Sequence, residues 1–168
     1  MACGGAEPAA KEPSAEGSEA STAVSEMAEQ YMTQAGLAIA DGDNQTALEN
    51  YLEAARLYDE SGEVTVERAE AHFLAASLAY QIGEKSQAID EYDSSVEIYL
   101  RFSGNSKIKA ANALNNMGTI YKELQDKPKA RNCWERALNI YKEAPADLQH
   151  KGNMAKIEQN IRDLDEGF

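Results

Sequence analysis

Basic residues are scarce in this chain of 168 residues: 16 Lys and Arg stand against 29 Asp and Glu, for a formal net charge of -13. A nucleic acid needs a positive surface that releases its counterions, so neither duplex nor single strand suits the chain. An anionic membrane surface is excluded for the same reason, while basic or neutral protein surfaces fit. Cysteine is nearly absent. Cys3 and Cys133 lie too far apart in sequence for a disulfide framework or a zinc spacing. No apolar run approaches the ~18–20 residues of a membrane span, and no charged segment followed by an apolar one marks an intact secretory signal. Catalytic and metal motifs are missing too. His72 and His150 have no partners at ligand spacing, and His72 falls in a packing column with Tyr31 and Leu114. Asp41-Gly42-Asp43-Asn44 begins like a calcium loop. Thr46 then stands where that loop needs glycine, and Leu52 where it needs a bidentate glutamate. Cys133, beside Trp134, reads as a small buried hydrophobe. The expectation is a protein with no catalytic residue, metal, cofactor or small-molecule substrate.

The first 22 residues are Ala, Glu, Gly, Pro and Ser with little else, and have no apolar periodicity. Such a segment buries too little to offset its ordering entropy, so it is expected to be a disordered tether. Its start, Met1-Ala2-Cys3-Gly4-Gly5, resembles the mature N-terminus of a bacterial lipoprotein. That resemblance implies lipid on Cys3. With Gly rather than Asp after the cysteine, it also implies an outer-membrane anchor facing the periplasm. The apolar signal is absent, and Met1-Ala2 would stand in its place. The alternative is a cytoplasmic protein.

From residue 23 onward the chain repeats itself, shifted by 41 and then 42 residues. The recurring columns are Ala35/Ala76/Gly118, Ala38/Ala79/Tyr121, Gly42/Gly83/Gln125, Ala47/Ala88/Ala130 and Tyr51/Tyr92/Trp134. They continue with Ala54/Ser95/Ala137, Leu57/Ile98/Ile140 and Tyr58/Tyr99/Tyr141. Small residues let two antiparallel helices approach closely. A ring four positions after the second-helix alanine lies on the same face and fills the space between helices. Gly42 and Gly83 suit a left-handed helix end. Asp126 suits an N-cap, with Pro128 in the first turn, where a missing N–H costs little. Gly62 and Gly104 separate the copies. The spacing predicts helix pairs over about 28–61, 69–103 and 111–144. Met154, Ile157, Ile161 and Leu164, with Leu148 before them, predict a capping helix over about 146–164. A dimerisation helix is the other reading of that segment.

These columns, most clearly Leu114-Asn115-Asn116-Met117-Gly118-Thr119-Ile120-Tyr121 followed by Ala130, Trp134, Ala137 and Leu138, resemble the tetratricopeptide repeat family. The spacing resembles its longer, kinesin-light-chain-like variant. The resemblance implies an all-α fold: a right-handed superhelix of three helix pairs over residues 23–168, with the capping helix at its end. It also implies a concave groove lined by the first helix of each pair. Carried over, the groove-facing residues are Met32, Gly36, Ile39 and Ala40, then Phe73, Ser77, Tyr80 and Gln81. In the third pair they are Asn112, Asn115, Thr119, Lys122 and Glu123, with Asn116 beside them.

The groove would change from apolar to amide-rich along its length and take a partner peptide or protein. A clamp for a C-terminal carboxylate is disfavoured, since only Lys122 sits suitably and Glu29 and Glu70 oppose it. The function expected is non-enzymatic scaffolding, as a membrane-tethered member of an envelope assembly. The alternatives are a cytosolic regulator or chaperone, and a structural protein that binds itself as a homodimer or larger assembly.

Overall fold

The computed structural model describes residues 15–144 and 149–166. Cys3, Leu148 and the first fourteen residues lie outside that description. Among the described residues there are seven helices and no strand: α1 Ala15–Ala40, α2 Asn44–Ser61, α3 Val66–Ile82, α4 Lys85–Tyr99, α5 Asn105–Glu123, α6 Lys127–Glu143 and α7 Gln149–Glu166. They pair as α1/α2, α3/α4 and α5/α6, each pair packs on the next, and α7 closes against α6. The whole is a right-handed superhelix of three helix pairs with a capping helix. One boundary differs from the sequence expectation. Helix α1 starts at Ala15, inside the segment taken as tether. Residues 15–22 contain mostly Ala, Glu and Ser, and Ser21 Oγ donates to Glu63 Oε1 at 2.9 Å across the α2–α3 loop. Helix propensity plus that tie holds a stretch that has no apolar stripe of its own.

The three turns inside the pairs are built alike. After each first helix, one residue takes a left-handed backbone: Gly42 (φ 79°), Gly83 (φ 95°) and Gln125 (φ 61°). The next N–H then reaches back to a carbonyl five residues earlier: Asp43 to Ala38 at 2.9 Å, Glu84 to Ala79 at 2.8 Å and Asp126 to Tyr121 at 2.9 Å. This satisfies carbonyls that the helix end leaves open. Asp43 and Asp126 then cap the second helices, accepting from the N–H groups of Thr46 and Lys129. Gln125 alone carries a Cβ in this strained region. Gln125→Gly is therefore expected to stabilise the protein by about 0.5–1 kcal/mol, raising the thermal midpoint by roughly 2–3 °C. An unchanged or lower midpoint in a calorimetric scan would count against the strain.

The core runs the length of the stack. Ala35, Ala47, Ala76, Ala79, Ala88, Ala130 and Ala137 are fully buried, as is Trp134, and Tyr92 is 1% exposed. Helix α7 contributes Ile157 and Leu164, with Met154 and Ile161 half-buried against the same cluster.

His72 occupies its packing column, yet it does more than fill space. Its Nδ1 lies 2.7 Å from Glu91 Oε2 on α4, and its Nε2 lies 3.1 Å from Asp59 Oδ1 on α2. Arg68 Nε donates to the same Asp59 oxygen at 2.7 Å. Burial lowers the histidine's affinity for its proton, but the hydrogen bonds and charges of Glu91 and Asp59 outweigh it, and the pKa rises above the ordinary value. A raised folded pKa gives stability that is complete below the unfolded value, about 6.5, and is lost as pH climbs through the folded one. The urea midpoint is expected to fall as pH rises from 6.5, and His72→Gln to remove that slope. A wild-type midpoint flat over that range would contradict the charged bridge.

Candidate partner-binding groove

The first helices α1, α3 and α5, together with α7, form one side of the stack, and polar bridges join them in sequence. Lys109 Nζ on α5 meets Glu70 Oε2 on α3 at 3.0 Å. Tyr80 Oη on α3 donates to Glu123 Oε1 on α5 at 2.5 Å, and Glu123 also pairs with Lys85 at 2.9 Å. Lys122 on α5 lies 4.0 Å from Asp163 on α7. The hydrogen bond to Glu123 pushes the Tyr80 phenol up to about 12, so it stays a neutral donor. These pairs are half-exposed and contribute little to stability singly. They do fix the electrostatics: Lys85, Lys109 and Lys122 are each already matched by a carboxylate.

The residues expected to face a partner fall into three groups. Ile39 is 44% exposed, and Gly36 and Gln81 are also open. Met32, Phe73 and Tyr80 are half-buried, with part of each side chain packed on the core. Phe73 meets Tyr92 edge-on, ring centroids 5.4 Å apart, so it is a brace as well as a surface. The third group is polar and largely engaged by the second helices. Asn116 Nδ2 donates to Tyr92 Oη at 2.9 Å, and Ser77 hydrogen-bonds the same phenol. Tyr141 Oη donates to Asn112 Oδ1 and accepts from Asn153 Nδ2 at 3.3 Å. Thr119 Oγ1 donates to the Asn115 carbonyl at 3.2 Å, which also accepts from Trp134 Nε1 at 3.2 Å. The Asn115 side-chain oxygen is buried and has no partner. A buried acceptor left open costs free energy that a donated N–H would recover.

The sequence reading did not anticipate that the rings of the second helices reach through to these amides. Each repeat sends its tyrosine column, Tyr58, Tyr99 and Tyr141, toward a first-helix position four residues before the groove strip: Glu29, Glu70 and Asn112. Burial raises the Tyr58 and Tyr99 phenols first, and Glu29, Glu67 and Glu70 raise them further. Glu29 and Glu67 are exposed and have no cation partner among the described residues. The first half of the groove is thus apolar with free carboxylates. The second half is amide-lined and internally neutralised.

Cavities lie away from this face. One, of about 110 Å³, is bounded by Asp59, Arg68, His72, Ser94, Glu97 and Arg101; another, of about 290 Å³, includes Tyr121, Lys129, Cys133 and Arg136. Cys133 is buried, and its thiol is pushed up by burial, which keeps it protonated and inert. Among the described residues no cluster of three His, Cys, Asp or Glu could hold a metal ion, and no helix is long and apolar enough to cross a membrane.

A sequence profile of the Tetratricopeptide repeat family matches residues 87–143. No curated protein sequence matches the chain. Among solved structures it is similar to BtubC (BKLC) from P. vanneervenii, at 23% identity and a TM-score of 0.68, covering 80% of this chain and 53% of that one. It therefore spans about half the length of that protein. It is also similar to the first TPR of Spaghetti (RPAP3) bound to the HSP90 peptide SRMEEVD, at 17% identity and a TM-score of 0.57, covering 82% and 95%. A third likeness is to the N-terminal domain of stress-induced protein-1 (STI-1) from C. elegans, at 15% identity and 0.56, covering 86% and 99%. At such identities the likeness concerns the fold, which is that of a protein-interaction module.

Proposed function

We propose that the chain is a non-enzymatic binding module whose concave face holds a segment of another protein bearing large apolar side chains and basic residues. The observation that carries this is the first half of the groove. Ile39, Met32, Phe73 and Tyr80 form an apolar strip, and the unmatched carboxylates of Glu29 and Glu67 flank it. Apolar anchors fill the strip, and cations on the ligand meet the free charge. The open Asn115 oxygen offers a backbone N–H a partner further along. The Spaghetti (RPAP3) domain is bound to an acidic peptide. An acidic ligand is disfavoured here, because the groove lysines are already paired.

The test is fluorescence anisotropy with a panel of about ten-residue peptides, apolar-basic and apolar-acidic. The apolar-basic set is expected to bind saturably, and Ile39→Asp or Glu29→Lys/Glu67→Lys to weaken it about tenfold or more. These side chains are exposed, so the variants keep the fold. Preference for the acidic set, or affinity unchanged by both variants, would overturn the reading. A lipid anchor at Cys3, placing the module on a membrane, is a separate proposal from sequence. Intact mass spectrometry of protein from its native cells, with or without an acyl addition, decides it.

A further inference from the structure

The stack ends unevenly. In the second and third repeats the face of the first helix that looks back along the stack is buried: Ala71, Ala75 and Leu78 on α3, and Ala113, Met117 and Ile120 on α5, are at most 4% exposed. The same register on α1 is Gln30, Gln34 and Leu37, preceded by Met27. Nothing covers it among the described residues. Leu37 is 63% exposed and Met27 48%, against 4% for Leu78 and none for Ile120. Two glutamines in place of alanine and methionine make this a half-polar surface, suited to a reversible contact rather than a permanent core.

Charge gives the stripe a direction. Residues 15–61, the first helix pair, hold ten carboxylates and one arginine, a net -9. Residues 101–168 hold twelve cations and nine carboxylates, a net +3. Two acidic ends facing each other would repel, so a symmetric pairing through α1 is disfavoured. The other end of the stack is α7. Its inner side carries Ile157 and Leu164. Its outer side carries Gly152, Ala155, Gln159 and Arg162, all exposed, with Lys151 and Lys156 flanking them. Lys151, Lys156 and Arg162 have no carboxylate partner among the described residues.

We propose that copies of this chain associate head to tail, the α1 stripe around Met27 and Leu37 packing on the outer face of α7 of a second copy. The small Gly152 and Ala155 leave room for the two apolar side chains, and the three cations face the acidic first repeat. Such a contact is heterologous, so it leaves a free end on each copy and builds open chains. One helix against one helix is a small interface, and the association is expected to be weak, with Kd on the order of 10–1000 μM. The groove stays open in this arrangement, so the proposal does not depend on what the groove binds.

The experiment is sedimentation equilibrium of the full chain over about 0.02–1 mM at low salt, a range that brackets that affinity. The weight-average mass is expected to rise past that of a dimer, and to fall in high salt. Leu37→Arg, with circular dichroism confirming the helices, is expected to stay at the monomer mass of 18.3 kDa. A fluorescently labelled Leu37→Arg chain keeps its α7 face, so it is expected to bind wild type while failing to bind itself. Adding Lys156→Glu and Arg162→Glu should abolish that binding. Four results would each overturn the proposal: a wild-type monomer throughout, Leu37→Arg associating like wild type, labelled Leu37→Arg unable to bind wild type, or a monomer that associates only once residues 1–14 are removed. The third assigns the stripe to a symmetric pair, and the last to the chain's own N-terminus.

Discussion

Gly118→Ala is expected to destabilise the protein by about 3 kcal/mol or more, although alanine is the better helix former by about 1 kcal/mol. A Cβ on Gly118 would lie 2.4 Å from Nε1 of Trp134, 2.6 Å from its Cδ1 and 2.8 Å from its Cε2. The indole cannot step aside. It is fully buried, and its N–H is held by the Asn115 carbonyl at 3.2 Å. The other repeats show the alternative solution to the same packing problem: alanine at Ala35 and Ala76, with the smaller tyrosine ring at Tyr51 and Tyr92. The third repeat removes a methyl and inserts a larger ring. Gly118→Ala combined with Trp134→Tyr should therefore recover much of the lost stability, a coupling that independent sites would not show. Urea unfolding by far-ultraviolet circular dichroism reads all three variants. A single Gly118→Ala variant as stable as wild type would refute this packing.

Tyr92→Ala should cost about 3–5 kcal/mol. The ring is 1% exposed and meets Phe73 edge-on, and its hydroxyl is shared by Ser77 and by Asn116, which donates at 2.9 Å. One side chain on α4 thus holds α3 and α5 together from behind the groove. Tyr92→Phe isolates the hydroxyl and should cost about 1–2 kcal/mol. Asn116→Ala should then add little to Tyr92→Phe, because the bond is already gone. Fully additive losses in that double-mutant cycle would place Asn116 elsewhere, free for a partner.

That distinction marks where the sequence was legible. The columns predicted the pairs, the turns and the cap because each rests on local chemistry: alanine at crossings, glycine at left-handed ends, aspartate before a helix. Gln125 keeps the same turn without glycine because the backbone bonds around it, from Asp126 to Tyr121 and Gln125 to Lys122, over-determine the geometry. The start of α1 was missed because residues 15–22 carry no apolar stripe, and the tie from Ser21 to Glu63 spans 42 residues. The groove was legible as a strip of positions, but not in its use. Asn112, Asn116 and Ser77 look free in sequence, yet tyrosines from the neighbouring second helices claim them. His72 likewise read as packing, because Asp59 and Glu91 lie 13 and 19 residues away. A polar residue recurring in an otherwise apolar column, with carboxylates on both neighbouring helices, is the signal that could have found that bridge.

The central claim, that the concave face is the binding surface, is tested most directly by amide hydrogen exchange of the full chain with and without a saturating apolar-basic peptide. The account predicts slowed exchange along α1 and α3 about Ile39 and Tyr80, extending to Asn115 on α5, with α2 and α4 unchanged on their outer faces. Protection confined to α2, α4 and α6, or none at saturation, would contradict it.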